Sequence, residues 1–87
     1  MSGLKRPLKK FVRKPGTVTA DDVERLLVDH FGYRKSSKSG SHDVFHKEGS
    51  YPITVPKLKG RHVKRLYVKQ LVKILGLEAQ LEELQDE

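Results

Sequence analysis

Residues 40–56 read Gly-Ser-His-Asp-Val-Phe-His-Lys-Glu-Gly-Ser-Tyr-Pro-Ile-Thr-Val-Pro. A small glycine-serine turn delivers His42 to the start of a short strand. An imidazole gives and takes protons near neutral pH. Such a group suits either proton transfer in RNA cleavage, in which the ribose 2′-hydroxyl attacks the neighbouring phosphorus. That step needs a base, an acid and cations for the developing charge, and in principle no metal ion. Lys38, Lys57, Lys59 and Arg61 flank the segment and are candidates for charge stabilisation. Gly40 and Ser41 let a backbone approach a phosphate closely, and Ser41 can donate to it. RNA rather than DNA is implied because the nucleophile is the 2′-hydroxyl itself.

Other histidines are weaker candidates. His46 falls two positions further along the same strand face. His62 lies in a basic loop, and His30 falls on the apolar stripe of a helix, where a partly buried core residue is expected. Asp43 neighbours His42 on the opposite strand face and reads as a solvated charge. Four scattered histidines with no cysteine lack the spacing of a zinc site, so no metal or other cofactor is expected.

The elements that position this segment follow from periodicity. Residues 1–16 carry Lys5, Arg6, Lys9, Lys10, Arg13 and Lys14, no acid, and Pro7, Pro15 and Gly16. They read as a flexible basic arm able to track a phosphate backbone, or inert. A helix is predicted over 19–31, with Thr19 and Asp22 as a capping box and Val18 and Val23 as a staple. Gly32 ends it. Strands are predicted over 33–37, 42–47 and 51–55, with turns at 38–41 and 48–50. Pro52 withholds a backbone donor, so its strand is an edge or begins there. A basic loop covers 56–65. A second helix starts near Leu66, with Val68, Leu71, Val72 and Leu75 in its stripe and Tyr67 and Ile74 widening it. Lys69 and Lys73 face away. Gly76 ends that helix, and Leu77, Leu81 and Leu84 mark a short acidic helix.

The expected fold is α+β, a single small domain of order α-β-β-β-α with a short extra C-terminal helix and a basic N-terminal arm. Residues 17–87 form the domain proper. Both helices bury their stripes against one sheet face, leaving the other face open. Alternation through Phe45, Ile53 and Val55 puts these on the helix side and His42, Val44 and His46 on the open side. Val44 is apolar too, and the opposite parity would bury His42.

Composition sets the partner class. The chain has 87 residues and a formal charge of +7. Residues 1–76 hold all 18 Lys and Arg and six acids, or +12, whereas the last eleven residues carry −5. Such a body attracts polyanions by counterion release. The absence of cysteine excludes a disulfide framework. No apolar run reaches the roughly 20 residues that span a bilayer, and no apolar signal segment opens the chain, so a cytoplasmic location is expected.

Residues 17–77 resemble the HicA family of small toxins, mRNA interferases whose fold is related to the double-stranded-RNA-binding domain. The matching pieces occur in order: a helix ending in Gly32-Tyr33, Gly40-Ser41-His42, Phe45, Ile53-Thr54-Val55-Pro56, the pair Lys59-Gly60, and Val68 to Leu77 ending in Ile-Leu-Gly-Leu. Three departures are visible. Asp43 stands where the family often has a second histidine or a bulky residue, Lys64-Arg65-Leu66-Tyr67 replaces a Pro-Gly-Thr helix start, and the basic arm is longer. The resemblance implies an endoribonuclease with its essential histidine at His42 and a HicB-type antitoxin partner. Two other readings are a non-catalytic RNA-binding module and a subunit whose basic face docks an acidic protein.

Overall fold

A computed structural model describes residues 5–39, 42–58 and 61–85, with the side chains of 37–39 and 85 outside that description. Helix α1 spans Lys5–Arg13 and is followed by a 3-10 turn, Pro15–Thr17. Helix α2, Ala20–Arg25, runs into a π-helical turn, Leu26–His30. Strands β1 (Arg34–Ser39), β2 (His42–His46) and β3 (Ile53–Pro56) come next, then α3 (Arg65–Leu75) and α4 (Leu77–Gln85). The sheet is antiparallel with order β1-β2-β3, so β2 is central. The α+β fold and the α-β-β-β-α order expected from the sequence are both present.

The expected basic arm is, over its described part, helix α1. Leu8, Phe11 and Val12 stand at i, i+3 and i+4, which makes an apolar stripe among the cations. Leu8 and Phe11 are fully buried in the common core, and Val12 packs against it. Pro7 lies in the first turn, where a missing N–H costs no intrahelical bond. The helix packs on α4 and α3. Charge density hid a three-residue hydrophobic signal.

Helix α2 starts as expected. The Thr19 N–H donates to Asp22 Oδ2 at 2.9 Å, and the Asp22 N–H donates to Thr19 Oγ1 at 3.2 Å. Lys10 Nζ donates to the same carboxylate at 2.7 Å, tying α1 to the cap. Partial burial pushes the Asp22 carboxyl pKa up. The Lys10 ammonium and the Thr19 N–H and hydroxyl outweigh that, and the net displacement is below the usual value of 3.8.

The π turn changes the outcome for His30. Five-residue spacing rotates side chains off a 3.6-residue stripe. His30 is accordingly exposed rather than partly buried, while Leu26 and Leu27 are fully buried. Gly32 follows at φ 76°, a left-handed conformation that suits glycine. Val68, Leu71 and Val72 of α3 are buried as expected, whereas Ile74 faces solvent with 66% of its surface exposed. Among the described residues no helix is long and apolar enough to cross a membrane.

Candidate functional site on the open sheet face

Strand β2 sorts its residues by parity. Asp43 and Phe45 are buried, Val44 is half-buried, and His42 and His46 are exposed. Ile53 and Val55 of β3 are buried beside Phe45 and Asp43. The parity read from Phe45 is therefore the one adopted. Residues directly opposite in an antiparallel pair share a face. Val44 pairs with Ser36 and Thr54, His46 pairs with Arg34, and His42 pairs with Pro56 and Ser39. The open face thus carries His42, Val44, His46, Arg34, Ser36 and Thr54, and none of these is an acid.

His42 sits at an irregular point of the ladder. The register between β1 and β2 shifts between Ser37 and Ser39, opposite the start of β2. Such shifts bend a strand and re-aim the neighbouring side chain. His46 lies four residues on, about 13 Å along the strand at the usual rise. The two imidazoles therefore do not serve one phosphate together. Arg34, Ser36 and Thr54 belong to the same surface and escaped the sequence reading. Hairpin register, extended outward from Val44, is the signal that finds them.

Asp43 is the main correction. It is buried, not solvated, because it shares the parity of Phe45. Lys57 Nζ stands 3.0 Å from Asp43 Oδ1, with the Lys57 side chain only 10% exposed, and Lys35 Nζ stands 3.8 Å from the same oxygen. Among the described residues no donor makes a well-directed hydrogen bond to Oδ1, so the Lys57 contact is an ion pair and not a hydrogen bond. Lys35 also donates to Glu24 Oε1 at 2.8 Å. That bond raises the Lys35 pKa above 10.5, against partial desolvation and with support from the Asp43 charge. Asp43 thereby gathers β1, β2 and the segment after β3 under the helices.

Two proposed phosphate-binding cations are already paired. Lys57 is turned towards Asp43. Arg61 Nη2 donates to Asp21 Oδ1 at 2.7 Å, both side chains being more than half exposed. Arg61 also adopts φ 65°, an uncommon conformation for a residue with a Cβ. Its carbonyl accepts from the Ala20 N–H at 2.8 Å, and its own N–H donates to the Leu58 carbonyl at 3.0 Å. Beside it, His62 makes an isolated bridge with Thr19. The described end of the basic loop, Arg61 and His62, is thus docked on the start of α2. Gly40, Ser41 and Lys59, and the side chain of Lys38, lie outside the described residues. No three His, Asp or Glu side chains gather as metal ligands among the described residues.

Scanned against protein-family models, curated proteins and solved structures, the chain matches none of them. Any functional reading therefore stands on the residues themselves and on the motifs of the sequence.

Proposed function

We propose that the chain is a metal-independent endoribonuclease that cleaves mRNA, the toxin of a HicA-like toxin–antitoxin pair. The observation that carries this reading is the exposed place of His42 on a sheet face with no acid, beside a register shift. In its neutral form the imidazole accepts the 2′-hydroxyl proton as that oxygen attacks phosphorus. The resulting imidazolium returns a proton to the departing 5′ oxygen, leaving a 2′,3′-cyclic phosphate. Arg34 and the hydroxyls of Ser36 and Thr54 supply donors along the same face for the rest of the strand. A HicB-type antitoxin would silence the enzyme by covering that face.

A second reading, a non-catalytic RNA-binding module, is favoured by a separate observation. Lys57 and Arg61, two of the cations expected beside His42, are engaged with Asp43 and Asp21. The test uses purified protein, a labelled mRNA fragment and excess chelator. The wild type should cleave. His42→Ala should cleave about 10²–10⁴-fold more slowly, the usual contribution of a positioned proton carrier, with RNA affinity retained. Undiminished cleavage by the variant would remove His42 from the chemistry. Binding without cleavage by the wild type would leave the module.

A further inference from the structure

Helix α1 carries a second charged surface, remote in sequence from His42. Leu8 and Phe11 turn inward, Arg6, Arg13 and the following Lys14 are exposed, and Lys9 is half-buried between them. These cations recur at i, i+3 and i+7, the spacing that stacks side chains along one helix face. None of the four makes an ion pair among the described residues. Like charges at this spacing destabilise a helix. The first turn holds Lys5 and Arg6 and no acid, although the dipole there disfavours cations. The burial of Leu8 and Phe11 holds the helix in spite of both effects.

Two grooves flank this ridge and share Arg6 and Lys10. One, of about 540 Å³, runs along α1 as far as Lys14. The other, of about 310 Å³, continues between α1 and α2 to Arg25 and His30. The acid lining it is Asp22, which Lys10 already neutralises. The track therefore presents cations from Lys14 to Arg25, with His30 at its far end and no uncompensated acid on its walls.

We infer that this track is a binding site for the phosphate backbone of a nucleic acid, separate from the open sheet face. A protein partner needs apolar anchors at the centre of its contact. The exposed side of α3 has such anchors in Leu66 and Ile74. The α1 ridge has none, since its large apolar residues are buried or half-buried in the core. The α1 ridge itself has no exposed aromatic ring among its described residues, so it reads charge and not sequence, while the exposed ring of His30 at the far end of the track is a face on which a base can stack. The site does not depend on cleavage: the ridge holds the chain whether or not His42 is a proton carrier.

The probe is a fluorescent 2′-O-methyl RNA 15-mer, which lacks the nucleophile and survives intact. Affinity is measured across a salt series. The ridge variant Arg6→Gln, Lys9→Gln, Arg13→Gln, Lys14→Gln is compared with a control that loses four other exposed cations, Lys47→Gln, Lys64→Gln, Lys69→Gln, Lys73→Gln. Each phosphate contact on a single strand contributes about 0.7 to the salt slope. The ridge variant should lose about two to three from that slope and at least about tenfold in affinity, with thermal stability equal to or above wild type. The control should lose markedly less. An equal loss in both variants, an unchanged slope in the ridge variant, or preference for polyglutamate over the RNA would each overturn the assignment.

Discussion

Asp43 and His42 are neighbours on one strand, and the two faces of β2 treat them oppositely. On one face Asp43 is 1% exposed, beside Phe45 and held by Lys57 and Lys35. On the other, His42 stands in solvent with Val44 half-covered and His46 exposed. Parity, not polarity, decided the difference: the period of two that buries Phe45 carries Asp43 inward with it. A charge placed so is retained only with partners, because an isolated buried carboxylate would be far too costly. The inward face is thus committed to stability, and the outward face leaves His42 and His46 exposed.

The sharpest way to break that division is to cut the inward face. A domain of this size holds roughly 4–13 kcal/mol of stability. Phe45→Ala should remove about 3–5 kcal/mol, a large share of that reserve, in a denaturant titration. Val44→Ala, on the other face, should cost under about 1.5 kcal/mol. Equal losses at the two positions would end the distinction between the faces.

Asp43 sharpens it further. Asp43→Ala strands Lys57 and should destabilise by about 3 kcal/mol, near the low end for breaking a buried pair because Lys57 retains some contact with water. Asp43→Leu combined with Lys57→Met should recover much of the loss, since an apolar pair of similar volume removes the stranded charge. A loss under about 0.5 kcal/mol for Asp43→Ala would mean that the pair is electrostatically idle.

A smaller effect comes from pH. The Asp22 pKa lies below 3.8 in the folded protein, so folding binds fewer protons there than the unfolded chain does. Its contribution is complete above about pH 4 and is lost as pH falls through the folded value. Lys35 is the mirror case: its pKa is raised above 10.5, so its contribution holds below that pH and is lost as pH rises through the folded value. Asp22→Asn should flatten the acid limb of the stability curve and leave the alkaline limb unchanged. Thr19→Ala, which removes the reciprocal cap, should cost about 1 kcal/mol at neutral pH.

Much of this was legible in the residues. The Thr19–Asp22 cap, the glycine stops at 32 and 76, the three strands and the facing of Phe45, Ile53 and Val55 all follow from local signals, and the structure has them. Three features did not follow. The stripe Leu8–Phe11–Val12 was masked by six cations and two prolines. The π turn, which moves His30 outward, has no sequence signature. The burial of Asp43 depends on Lys57 and Lys35, which lie 14 and 8 residues away along the chain, and pairing over such distances is not written in any window. At the candidate site, the position of His42 was readable from alternation. The engagement of Lys57 and Arg61 elsewhere was not, because it depends on how the loop docks against α2.

The most direct measurement is an NMR titration of the folded protein with the uncleavable 2′-O-methyl RNA, following side-chain and amide signals. Shifts are expected at His42, Val44, Thr54 and Ser36 on the open face, in addition to those along α1, while Asp43 and Phe45 move little. Shifts confined to α1, with the His42 imidazole unmoved at saturating RNA, would contradict a reactive open face and leave the chain a backbone-binding protein.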